Sequence, residues 1–238
     1  MSGQIAIVCT SKSVDQGRLA LLVDAWDKQA KEFCLAHGLE YRPVVLYATP
    51  ADLPTDTGEF WLLVIEDDIE APGALGFHDD QLGVIFARCL PENDCESVSH
   101  EILEMLLDPT CEQYRDFGDG TGRQLALEAC DPVEEDHYMQ QAQIGDQPPQ
   151  DVPVSNYVLP SYFDPKGTAP FDRMGKLTAP FSMSPGGYEI VREPDGSTND
   201  VFAKAHVVAH EVQTEHSMAR RQRKENTPHS RLARRLAA

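Results

Sequence analysis

No stretch of this chain approaches the roughly 20 consecutive apolar residues that a membrane-spanning helix needs, and Met1 to Cys9 lacks the basic start and long apolar run of a secretion signal. The expected setting is the cytoplasm, with no membrane partner. Six cysteines, Cys9, Cys34, Cys89, Cys95, Cys111 and Cys130, contain no CxxC spacing, which argues against a zinc ribbon or redox pair and for reduced, mostly buried thiols. Cations are scarce as well: 20 Lys and Arg stand against 39 Asp and Glu, for a net charge of -19. Of these cations, Arg220, Arg221, Arg223, Lys224, Arg231, Arg234 and Arg235 crowd into the C-terminal tail, 219–238, so the body ahead of it is more acidic still. An acidic body repels nucleic acid, whereas a short basic tail can dock on an acidic neighbour, on another copy of the body, or on DNA. Internal repeats and low-complexity runs are absent.

What remains is ordinary globular material: 238 residues, 41% of them hydrophobic, enough for a sizeable core. Gln4 to Cys9 (QIAIVC) reads as a strand. Val14 to His37 reads as a long amphipathic helix, with Leu19, Leu22, Val23, Trp26, Ala30, Phe33 and Cys34 on its apolar side and Gly38 closing it. Tyr41 to Ala48, Phe60 to Ile65, Ala74 to His78 and Leu82 to Ala87 read as further strands. A helix follows with Ser97 as its N-cap, and a second short helix is expected over Gly122 to Cys130, stopped by Asp131-Pro132. Residues 145–200 turn rich in Pro, Gly, Asp and Ser with isolated aromatics, as in a loop-rich region laid against a body. Inside it, Gly186 to Arg192 followed by Asp195-Gly196 reads as a hairpin, and Val201 to Met218 as a final helix before the tail. The expected fold is α+β in three parts: a body over 1–144, a loop-rich extension over 145–200, and a C-terminal helix with basic tail over 201–238.

The segment SHEILEMLLDP, Ser99 to Pro109, carries the chemistry. Positions four apart share a helix face, so His100, Glu104 and Asp108 line up while Val98, Ile102, Met105 and Leu106 point elsewhere. In zincins the first and fifth residues of HExxH bind zinc, the glutamate after the first histidine activates the attacking water, and a third ligand arrives from downstream. Here the fifth residue is Glu104, giving HExxE. Carboxylate oxygen binds Zn²⁺, but two anionic ligands partly neutralise the ion and make the site less selective among divalent metals. Metal binding is therefore better supported than efficient hydrolysis. Glu128 is the favoured third ligand, with Asp131 either a ligand or the group that orients His100. A second cluster, His206, His210, Glu211 and His216, has threonine where a ligand belongs (HEVQT) and reads as a surface helix.

With ALGFHDD, LGVIFARC, SHEILEMLLDP, LEACDPVE and VSNYVLPSYF in view, the chain resembles an uncharacterised zincin-like family of bacteriophage and bacterial proteins. Several members of that family are virion components. The resemblance spans about residues 74–163, with a weaker echo in APFSMSPGGYEIV. It implies a zincin-like mixed sheet with an active-site helix, His100 and Glu104 as ligands of Zn²⁺ or another divalent metal, Glu101 as general base, and Glu128 and Asp131 as the downstream acidic pair. A peptide substrate is implied too, as is a life that begins in host cytoplasm and ends in the particle beside other virion proteins. LGVIFARC stands where such domains carry the edge strand to which a peptide adds by backbone hydrogen bonds. The alternative is a structural or adaptor protein that uses its acidic body and basic tail for assembly contacts.

Overall fold

The computed structural model describes residues 3–53, 60–67, 76–79, 84–88 and 95–203. Its largest sheet joins β1 (Gln4–Cys9), β2 (Val44–Tyr47), β3 (Phe60–Glu66), β4 (Gly76–Asp79) and β5 (Val84–Arg88) in the order β2-β1-β3-β5-β4. The first four run parallel, and β4 pairs antiparallel with β5. Ile5 to Val8 and Leu62 to Ile65 are buried on both faces of the sheet, as continuous apolar runs in parallel strands require. The strand expected at the sheet's edge, LGVIFARC, is instead internal as β5. Its parallel ladder to β3 and antiparallel ladder to β4 occupy both sides, and β4 takes the edge. Both runs are β-rich, so the sequence could not order them.

Helix α1 (Gln16–His37) begins where the Asp15 carboxylate accepts from the Gly17 N–H, and ends at Gly38 in the left-handed conformation that glycine adopts freely. Helix α2 (Glu96–Leu107) starts at Cys95, not at Ser97, which lies inside the first turn. Cys95 holds a left-handed φ of 62° and is disulfide-bonded, against the expectation of reduced thiols; Cys9, Cys34 and Cys130 are free. Cysteine spacing alone does not encode such a link.

After α2 the chain is mostly β. A four-stranded antiparallel sheet, in the order β11-β10-β7-β6, is built from β6 (Tyr114–Asp116), β7 (Gln124–Ala126), β10 (Tyr188–Arg192) and β11 (Thr198–Phe202), while β8 (His137–Ala142) and β9 (Gln150–Ser155) form a separate hairpin. The helix expected over Gly122 to Cys130 is therefore β7 and the turn after it: cross-strand pairing of Gln124 and Leu125 with Arg192 and Val191 overrides a weak helical pattern. The hairpin expected near Gly186 is present as β10–β11. Val201 and Phe202, placed in a final helix by pattern, belong to β11, and the rest of that helix, the second histidine cluster and the basic tail lie outside the described residues.

One core unites these layers. Ile5, Ile7, Leu63 and Ile65 of the sheet pack with Leu22, Trp26 and Phe33 of α1, Val98, Ile102 and Met105 of α2, and Val152, Val154 and Tyr157 of the β9 region. A smaller cluster of Leu125, Val133, Val158, Tyr162, Phe171 and Leu177 lies under the loop-rich region. The main core thus continues across the position 144/145, which falls in the β8–β9 turn.

Candidate metal centre

Helix α2 is buried almost all round; even Ser99, Glu101 and Glu104 are buried among its apolar residues. Ser99 explains how a polar residue is tolerated there: its hydroxyl donates to the Glu96 carbonyl and accepts from the Ser155 N–H at 2.9 Å, pinning β9 to the helix. His100 and Glu104, one turn apart, face a segment that leaves β7 and passes beneath the helix. The Cys130 N–H on that segment donates to Glu104 Oε1 at 3.4 Å. A single 3-10 turn, Asp131–Val133, then raises Asp131 toward His100.

His100 Nε2 lies 3.2 Å from Glu104 Oε1 and 3.3 Å from Asp131 Oδ1, and ligand atoms of all three residues fall within 4.8 Å of one another. Bonds of about 2.0–2.2 Å to a tetrahedral ion put neighbouring ligand atoms roughly 3.4 Å apart. The two separations lie close to that edge. On its other side, His100 Nδ1 lies 3.5 Å from Glu134 Oε2.

Electrostatics point the same way. Burial drives the Glu104 carboxyl well above its ordinary value and the Asp131 charge adds to this, with His100 opposing. Glu134 is pushed up to about 7, again by burial first. For His100, burial works against the charged ring, yet Glu104 and Glu134 outweigh it and hold the imidazole well above its usual value. Neighbouring acids raise both Glu104 and Glu134, and His100 opposes them at each. Buried acids gathered around one imidazole favour bound protons or a cation.

Of the residues expected from sequence, the structure brings His100, Glu104 and Asp131 together. Glu128 is buried in the turn after β7, near enough to act on the charge of Glu104, but is not one of the three converging residues. Glu101 is buried beside His100 and acts on the charge of Glu134. Asp108, expected to line up with His100 and Glu104, turns away: its carboxylate accepts from the N–H groups of Thr110 and Gln113 and closes the helix end. Glu134 went unnoticed in the sequence, although it lies three residues beyond Asp131 and residues so spaced share one side of a 3-10 turn.

The loop-rich region locks the turn from behind. The Pro132 carbonyl accepts from the Ser184 N–H at 3.0 Å, and Gly187 crosses so close that a Cβ there would lie 2.2 Å from the same oxygen. This is the APFSMSPGGYEIV segment meeting DPVE. Comparison of the chain with protein-family models, with curated proteins and with solved structures finds no match.

Proposed function

We propose that this protein is built around one divalent cation held by His100, Glu104 and Asp131, and that it is a zincin-like hydrolase in which Glu101 is the general base. The observation that carries this reading is the buried convergence of His100, Glu104 and Asp131, whose ligand atoms lie within 4.8 Å of one another. One imidazole and two carboxylates suit Zn²⁺, with Mn²⁺ or Fe²⁺ as competitors. When bound, such an ion polarises a carbonyl and acidifies water.

The protein's own residues do the rest. Glu104 and Asp131 lower the ion's net charge, which favours retention over electrophilicity and makes this a slow hydrolase. Glu101 follows His100 on the same buried helix, where its carboxylate oxygens take the proton from attacking water and return it to the leaving amine. The edge position of β4 fits an extended peptide substrate.

Metal analysis of the full chain purified without chelator tests the reading: about one equivalent in the wild type and none in His100→Ala is expected. A content near zero that zinc addition does not raise would overturn it. The resemblance to virion proteins adds a location, in or on a phage particle. The separation of an acidic body from a basic tail supports a second, compatible role in assembly. Deleting residues 219–238 should then abolish incorporation into particles while leaving metal content unchanged.

A further inference from the structure

We infer that Glu134 is the positioning residue that orients His100 for the metal, an inference that rests on the metal reading above. Imidazole offers one lone pair only when its other nitrogen carries the proton, so a histidine ligand needs a partner that selects the tautomer. The ring of His100 is used on both sides. Nε2 looks into the triangle with Glu104 and Asp131, while Nδ1 looks out at Glu134 Oε2, 3.5 Å away.

Glu134 and Asp131 come from the same short turn: Asp131 opens it and Glu134 caps it with helical angles (φ -46°, ψ -45°). One rigid segment therefore reaches both nitrogens of one ring. Asp131 addresses the lone-pair side, and Glu134 Oε2, buried and without a hydrogen-bond partner among the described residues, faces the Nδ1 side. The turn's own hydrogen bonds, Val133 N–H to the Cys130 carbonyl and Asp136 N–H to the Val133 carbonyl, keep the two carboxylates in step. Asp136 is itself tied to Lys176 of the loop-rich region. A carboxylate in this place also makes the ring a stronger donor to the ion.

Glu134→Gln keeps an oxygen that accepts from Nδ1, whereas Glu134→Ala removes it. In zinc competition titrations with a chromophoric chelator, the alanine variant should lose about 10- to 100-fold in affinity, and the glutamine variant should recover most of that loss. Long-range ¹H–¹⁵N spectra of the zinc-loaded wild type should show His100 neutral with its proton on Nδ1, and should show the same in Glu134→Gln. An alanine variant that binds zinc within about threefold of wild type would overturn the inference. So would a glutamine variant as weak as alanine, or a wild-type His100 whose Nδ1 carries no proton. The spectrum needs no variant and stands even if one fails to fold. Failure of the metal reading is distinguishable, because the wild type would then bind no zinc at all.

Discussion

Gly187→Ala probes the link between the loop-rich region and the centre. Gly187 needs no left-handed φ, so the cost of a side chain is steric. Its Cβ would stand 2.2 Å from the Pro132 oxygen, 2.6 Å from the Pro132 carbonyl carbon and 3.2 Å from the Asp131 oxygen. Those are backbone atoms and cannot swing aside. The glycine's own backbone is tied at both ends, its N–H donating to the Ser184 carbonyl and its carbonyl accepting from the Ala203 N–H. The 131–133 turn, or the start of β10, must therefore retreat by about 1 Å to reach ordinary contact, and overpacking of this kind costs about 1–3 kcal/mol. In a chain of this length that lowers Tm by roughly 3–10 °C. Because Asp131 rides on the turn and ligand distances tolerate only about 0.2 Å, zinc affinity should fall at least about tenfold. Thermal melts in chelator and zinc competition titrations measure the two effects. A variant whose Tm stays within about 1 °C and whose zinc affinity stays within about twofold would refute the coupling.

Glu101→Gln should keep the wild-type metal content yet lower hydrolysis of an unstructured protein substrate by about 100-fold or more, the usual contribution of a general base; loss of metal instead would assign Glu101 to binding. In chelator, melting temperature should fall as pH rises from about 4.5 to about 7, since raised carboxyls at Glu104 and Glu134 and a raised His100 make the folded state bind more protons than the unfolded one. Zinc should remove that fall, because the ion displaces the protons. With free zinc at about 100 times its Kd, the stabilisation of about 2.7 kcal/mol should raise Tm by roughly 5–10 °C in the wild type, and His100→Ala should show no rise. Glu189, pushed up to about 7 by burial and accepting from the Tyr162 hydroxyl, should be relieved by Glu189→Gln. The variant's stability relative to wild type should then grow as pH rises through about 7, as urea melts would show.

The parts of the fold legible in the sequence are those whose signal is local. QIAIVC and FWLLVI are strands because continuous apolar β-formers have no other use at that length, and α1 carries its own cap and its own glycine stop. His100 and Glu104 were readable for the same reason, since four residues of helix fix their relation. Asp131 and Glu134 depend on a turn whose position is set by Ser184 and Gly187, neither of them near in sequence. Asp108 shows the converse: its helical spacing fits the metal face, but the helix ends one residue too early, and the carboxylate serves the capping turn.

The centre also accounts for an oddity of the loop-rich region, which has little secondary structure yet is firmly buried at Tyr157, Val158, Tyr162 and Phe171. A buried carboxylate group is held in place only if its backbone cannot relax toward water, because the desolvation cost of each ion is several kcal/mol and solvent entry would relieve it. Helix α2 supplies one rigid wall. The opposite wall is a single 3-10 turn, too short to resist alone. Asn156 and Asp172 supply the stiffness: the Asn156 amide donates to Asp172, and Asp172, fully buried, also accepts from the N–H groups of Met174 and Leu177. That crosslink fixes the segment whose Val158 N–H donates to the Ala129 carbonyl, one residue before Cys130 and two before Asp131. An ordered loop region thus does for one side of the centre what a helix does for the other, and the proposed binding of an ion depends on its packing.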